Sequence, residues 1–313
     1  MRILLMGGTG LVGSRLVRRL LERKDQVTLL TRRPEVARQK WGDACSVVEG
    51  DPMQAGSWMN TVDDCDAVVN LVGEGIFNRR WRAKFMQLLR DSRIKSTEHV
   101  AQALTKSPRT AAGAAKVLVN ASAIGYYGPH PSDEELTEDS PPGNDFLALA
   151  CVDWEKAARA VEPAGVRLVL LRIGVVLDRE GGALRQMLRP FKMFVGGPVG
   201  LGRQMVSWIH HEDLVGLILL ALDDARASGP MNGTAPNPVT NKVFSKALGR
   251  ALGRPSFLPM PKLMLRLLLG KVASVVTTGQ RVLPRKALEL GYVFKFPDID
   301  GAMTDVLAAK AAV

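Results

Sequence analysis

The residues with the clearest chemical signature lie near the start of the chain, in Gly7-Gly8-Thr9-Gly10-Leu11-Val12-Gly13. Two overlapping spacings fit, Gly7, Gly10, Gly13 and Gly8, Gly10, Gly13. Glycines at these intervals let a strand turn tightly into a helix and let the backbone approach a pyrophosphate. Thr9, Leu11 and Val12 complete the loop, and the helix that follows offers its first amides and a partial positive charge. A tight strand–helix turn without a ligand is the competing reading. The flanking sequence favours the cradle, because the pattern gains weight between a first strand and a first helix.

The chemistry continues downstream. An acidic residue at the end of the second strand would accept the ribose hydroxyls of NAD, but this chain has Thr31-Arg32-Arg33 there. Guanidinium groups grip a 2′-phosphate that a carboxylate would repel, so the expected cofactor is NADP(H). The alternative is that Arg32 and Arg33 open a solvated loop before Pro34. Asp51, in EGDP, is placed to meet an adenine amine, or else to cap a turn before proline. Leu71, Val72 and Gly73 are expected beneath the adenosine, with Glu74 and Arg80 within reach of ribose or phosphate. Tyr126 and Tyr127, in SAIGYYG, are the candidate proton-transfer groups, or a Gly-flanked aromatic pair that packs the loop.

These residues need a particular scaffold. RILLMGG is a short apolar run of the kind that forms a buried parallel strand. SRLVRRLLER places Leu16, Val17, Leu20 and Leu21 on one helical face. QVTLLTRR, CSVVEGD, DAVVNLVGE, KVLVNASAIGYYG and VRLVLLRIGVVL give five more strands. Helices are expected over RRWRAKFMQLLRDSRIKSTEHVAQALTK and GNDFLALACVDWEKAARAV. The alternation implies an α/β fold with a Rossmann-type, doubly wound parallel sheet over residues 1–178. Residues 179–313 are expected to form a smaller, mostly helical lobe over the ligand-binding edge, with some segments returning to the sheet.

Composition narrows the classes. The chain of 313 residues carries a net charge of +11, with its cations spread along its length and little aromatic interleaving. That pattern predicts no nucleic-acid partner, and suits an anionic small molecule instead. No apolar run is long enough to cross a bilayer, and MRILLMGG has no signal-peptide architecture. Cys45, Cys65 and Cys151 lack paired or metal-like spacing. A reducing cytoplasm and no metal are expected.

The stretches GGTGLVG, VVNLVGE, SAIGYYG, TEDSPPG, WEKAA, RIGVVL, GGPVGLGRQMVSWIHHEDL and GQRVLPRKALELGY together resemble the extended short-chain dehydrogenase/reductase superfamily. More closely, the chain is similar to an atypical branch of NADP-dependent epimerases and oxidoreductases, also described as cell-division-inhibitor-like. The resemblance implies a bound NADP(H), a sugar- or nucleotide-like substrate, and further cofactor contacts at Ala121, Ile173, Gly174 and Val175. It also implies substrate contacts at Arg203, Gln204 and Trp208. His210 and Asp213 read better as stitching between lobes and as a helix cap.

The superfamily's Tyr-x-x-x-Lys pair sets a tyrosine and a lysine on one helical face. Aligned on Trp154-Glu155, those slots hold Leu147 and Cys151, and Lys156 faces elsewhere. Aligned on the Tyr-Gly of the exit loop, the place of the serine that polarises a carbonyl holds Ala123, with Ser122 one position earlier. The expected function is therefore an oxidoreductase or nucleotide-sugar-epimerase-like enzyme with a rewired acid–base group, drawing on Ser122, Tyr126 and Tyr127. The alternative is a non-catalytic NADP(H)-binding regulator acting through a protein partner.

Overall fold

Short runs of Leu, Val, Ile and Ala become the inner strands, buried on both faces, while the edge strand Ser46–Glu49 is partly exposed. A computed structural model describes residues 1–131 and 134–308. Its central sheet contains β1 (Arg2–Met6), β2 (Gln26–Thr31), β3 (Ser46–Glu49), β4 (Ala67–Asn70), β5 (Val117–Ala123), β6 (Arg167–Ile173) and β7 (Gly229–Gly233). The order is β7-β6-β5-β4-β1-β2-β3, and every pairing is parallel. The chain runs outward from β1 to β3 and then returns to β4 on β1's other side. The crevice above the carboxyl ends of β1 and β4 is thus the topological switch point, where such sheets bind ligands.

Two helical layers cover the sheet. α1 (Leu11–Glu22) and α6 (His211–Asp223) bury Leu16, Val17, Leu20, Leu214 and Ile218 against one face. α3 (Ala83–Lys106) packs Val100 and Leu104 on the other, beside Ala158 of α4 (Phe146–Arg159). α2 (Pro34–Trp41) follows β2. The second lobe has its own core, in which Leu184, Phe191, Trp208, Phe244, Leu248 and Met303 meet. α5 (Gly182–Lys192), α7 (Asn241–Leu252) and α11 (Ile299–Ala308) build that core; α8 (Lys262–Leu269) and α9 (Ala273–Thr277) lie between α7 and α11 in the chain, and α10 (Arg285–Glu289) packs its Ala287 into the core of the sheet.

Two features differ from the sequence reading. The seventh strand, GPMNG, has too few apolar residues to show a strand period, and it owes its place to pairing with β6. The run VRLVLLRIGVVL is broken at Gly174, after which Val175–Leu177 pairs instead with Trp208–His210. The Gly174 amide bonds the Gly233 carbonyl, and a Cβ at Gly174 would stand 2.7 Å from the Ser207 carbonyl oxygen. Among the described residues no helix is long and apolar enough to cross a membrane, and no acidic, His or Cys cluster has metal-site geometry. All three cysteines are unpaired and buried.

Candidate functional site

The glycines of the first loop are enforced by close contacts. Gly7 has φ +85°, and a Cβ on it would lie 3.0 Å from the Leu71 carbonyl carbon and oxygen. A Cβ on Gly13 would come within 2.2 Å of the Gly7 oxygen. Any side chain there would pry the helix from the strand. Gly10 is the N-cap of α1, its own amide bonded to the Gly7 carbonyl at 3.0 Å. With no side-chain cap and no acidic residue in the first turn, the positive end of α1 stays open at the crevice. Thr9 is half-buried, Leu11 packs beside Gly181 of the second lobe, and Val12 packs on the core.

At the end of β2, Thr31 is buried and accepts the Arg33 amide at 3.1 Å. Arg32 and Arg33 are exposed, and neither forms an ion pair among the described residues. Asp51 accepts the Met53 amide at 3.0 Å, so one carboxylate oxygen is spent on a turn. Val72 and Leu71 follow β4 and pack on opposite cores. Gly73 lies against the Arg93 guanidinium. The Glu74 carboxylate accepts from Asn78 at 2.7 Å, and Arg80 donates to the Leu267 carbonyl at 2.6 Å, linking the crevice rim to α8.

Deeper in, the exit of β5 is wired into a buried ion pair. The Ser122 hydroxyl donates to Glu155 Oε1 at 2.7 Å. Arg172 holds the same carboxylate with two bonds, at 2.8 and 2.9 Å. Its third nitrogen donates to the Tyr127 hydroxyl at 3.0 Å, and that hydroxyl donates to Asn232 Oδ1 at 2.7 Å. Burial opposes the charge of Arg172, but contact with Glu155 outweighs it and holds the guanidinium firmly protonated. Tyr127 is fully buried, and burial pushes its phenol up to about 12 despite Arg172 alongside. Tyr126 is half-buried; the Arg172 guanidinium carbon lies 3.5 Å from its ring centre, and its hydroxyl has no partner among the described residues.

Glu155, Arg172 and Asn232 escaped the sequence reading. A signal existed, since Arg172 interrupts an otherwise apolar strand and Glu155 sits among the buried positions of α4. On that helix Leu147 and Cys151 face the β5 exit loop: a Cβ at Gly125 would stand 3.5 Å from Leu147 Cβ and 3.8 Å from Cys151 Sγ. Burial pushes the Cys151 thiol up to about 12, so it is a neutral packing group rather than a nucleophile. Ala121 is buried within β5, and Ile173, Gly174 and Val175 are half-buried where β6 ends.

In the second lobe, Arg203 is exposed in a glycine-rich loop and forms no ion pair among the described residues. Gln204 donates to the carbonyls of Val199 and Val276, and Trp208 is fully buried with its indole on the Asn237 carbonyl. Trp208 therefore fills core rather than cleft. His210 caps α6 through the Glu212 amide, and Asp213 accepts the amides of Lys295 and Phe296. Gln280 reaches back to the Ile124 carbonyl at 2.9 Å, bracing the β5 exit loop against the second lobe.

An open α1 terminus at a switch point, lined by obligatory glycines, is a dinucleotide cradle in form. Residues 3–232 match the NAD dependent epimerase/dehydratase family. The chain belongs to this family. Residues 260–306 match a domain of unknown function, DUF1731. The epimerase family protein SDR39U1 homolog of Arabidopsis thaliana, chloroplastic, is 41% identical over 309 residues, 98% of this chain and 87% of the relative. Epimerase family protein SDR39U1 of Bos taurus is 40% identical over 98% of this chain and 100% of its own length. The crystal structure of human SDR39U1 (isoform 2) with NADPH superposes with a TM-score of 0.86 at 36% identity, over 98% of this chain and 99% of that one. UDP-glucose 4-epimerase of Thermus thermophilus, in complex with NAD, shares the fold at 20% identity, covering 100% of both chains with a TM-score of 0.77.

Proposed function

We propose that this family member binds NADP(H) and acts as an oxidoreductase or epimerase-like enzyme on a sugar- or nucleotide-sugar-like substrate. The observation that carries the reading is the pair Arg32 and Arg33, exposed and without a carboxylate partner among the described residues, beside a cradle that only glycine can line. The human relative crystallised with NADPH supports the same assignment. The amides of Leu11, Val12 and Gly13 would hold the pyrophosphate, and Arg32 and Arg33 the 2′-phosphate. When bound, the nicotinamide would supply or accept a hydride at C4.

The chain's own groups would handle the proton. Tyr126 is the tyrosine of the pair whose hydroxyl has no partner among the described residues, while Ser122 and Tyr127 are held in the Arg172–Glu155 network. We assign proton transfer to Tyr126 and the shaping of the β5 exit loop to Ser122 and Tyr127. Arg203 is the candidate for an anionic group of the substrate, which fits the diphosphate of a nucleotide sugar. Three buried, unpaired thiols support a reducing compartment such as the cytoplasm.

Leu147 and Cys151 beside Gly125 favour a second reading, a cofactor-binding regulator without turnover. One experiment tests both. The protein is titrated with NADPH and with NADH by fluorescence, then incubated with C4-deuterated NADPH and a panel of nucleotide sugars. NADPH-selective binding with stereospecific loss of deuterium supports the enzyme. Binding without exchange for any substrate supports the regulator, and no binding sinks both.

A further inference from the structure

Arg93 brings a positive charge from α3 into the crevice, where three elements meet. A Cβ placed on Gly73, just past β4, would lie 3.1 Å from the guanidinium carbon and 3.3 Å from Nη2. Nη1 donates to the Leu89 carbonyl at 2.9 Å and Nη2 to the Glu74 carbonyl at 3.0 Å. The guanidinium carbon stands 5.3 Å from the Trp154 ring centre on α4. Trp154 lies one helical turn beyond Cys151, whose thiol adjoins Gly125 of the β5 exit loop.

No carboxylate forms an ion pair with Arg93 among the described residues. Glu74 offers its carbonyl, while its carboxylate accepts from Asn78. Two of the five N–H donors are thus filled by protein carbonyls, leaving donors for a ligand. A half-buried cation without a counter-ion is costly, and burial lowers the Arg93 pKa, offset in part by Cys151 and Glu74 nearby. Its neighbours on the same helix behave otherwise: Arg90 pairs with Asp153 and Lys95 with Asp91. The unpaired charge sits on the side of α4 where Cys151 occupies the place of the superfamily's lysine.

We propose that Gly73 lies on the nicotinamide side of the crevice rather than beneath the adenosine, and that Arg93 beside it supplies the cation of the reaction cleft, donating to the nicotinamide-side ribose and biasing the site toward reduced cofactor. The inference rests on the NADP(H) reading of the crevice. Its logic is electrostatic. Oxidised nicotinamide carries a positive ring charge and the reduced ring carries none, so a fixed cation beside the site disfavours only the oxidised form.

The test is the ratio of dissociation constants, NADP+ over NADPH, measured by calorimetric titration for the parent, Arg93→Gln and Arg93→Lys. The ratio is expected to fall roughly tenfold in Arg93→Gln, as for one partly screened charge pair. Arg93→Lys keeps the charge and should keep the ratio while both affinities weaken. A merely structural role, tacking down the Glu74 carbonyl, would weaken both cofactors in Arg93→Gln and leave the ratio alone; that result overturns the proposal. If Arg93→Gln does not fold, Gly73→Ala displaces the guanidinium with its charge intact, and an unchanged ratio there overturns it equally. A parent that binds neither cofactor overturns the NADP(H) reading itself, which sets that failure apart.

Discussion

Arg172 and Glu155 meet as a two-pronged ion pair behind the β5 exit loop, Nε to Oε1 at 2.8 Å and Nη2 to Oε2 at 2.9 Å. Both side chains are almost wholly buried. The pair also collects Ser122 and Tyr127, so it fixes the shape of the loop on which Tyr126 stands.

Removing one member of such a pair leaves an uncompensated buried charge. Glu155→Gln is expected to destabilise the fold by ~3 kcal/mol or more, roughly 4–5 °C or more in melting temperature for a chain of this size. Thermal unfolding followed by circular dichroism checks it. A melting point within a degree of the parent would mean that the buried pair contributes no stability.

The two adjacent tyrosines should separate cleanly. Tyr127→Phe removes bonds to Asn232 and Arg172 and is expected to cost about 1–3 kcal/mol of stability. Tyr126→Phe removes a hydroxyl without a partner among the described residues, so stability should hold within about 0.5 kcal/mol. In a competent substrate assay, Tyr126→Phe should lower turnover by roughly 100-fold or more while NADPH affinity stays unchanged. Full turnover in Tyr126→Phe would remove it from proton transfer.

The parts of the site legible in the sequence were those whose physics is local. Gly10 and Gly13 answer to Gly7, a few residues away, and Arg32-Arg33 follows directly from the end of a strand. The ion pair does not work that way. Arg172 lies 17 residues from Glu155, and Tyr127 lies 105 residues from Asn232; only the sheet brings them together. Ser122 shows the same limit at finer scale, because strand register decides whether its hydroxyl faces the cleft or Glu155. Arg93 was hidden among like charges in a basic helix; it is half-buried and has no carboxylate partner among the described residues, whereas Arg90 and Lys95 beside it are exposed and paired.

Acid stability should report His210. Burial first, then the charges of His211, Lys295 and Arg15, pull its imidazole down to about 3. Its ordinary value is near 6.5. The folded state therefore binds this proton more weakly than the unfolded chain does. The stabilisation is complete above pH 6.5 and erodes as pH falls toward 3. His211 is lowered by burial too and acts in the same direction. His210→Asn keeps an acceptor for the Glu212 amide but does not titrate. Its melting temperature should fall less steeply than the parent's between pH 6.5 and 4, and equal slopes would refute the assignment.

The cofactor choice should follow charge at the end of β2. NADPH and NADH differ only in the 2′-phosphate, so a change confined to Arg32 and Arg33 must act on one and spare the other. Each charge-assisted bond to phosphate is worth about 1.5–3 kcal/mol, and replacing both arginines by aspartate adds repulsion. The double variant is expected to bind NADPH at least 100-fold more weakly, on the order of two such bonds lost, with NADH affinity within about threefold. Because both arginines are exposed, raising ionic strength should shrink the parent's NADPH preference in the same direction. Equal weakening of both cofactors would instead point to a disturbed β2 end, where the Arg33 amide is bonded to Thr31. Arg32→Ala and Arg33→Ala, which leave that backbone bond in place, would then show which guanidinium carries the selectivity.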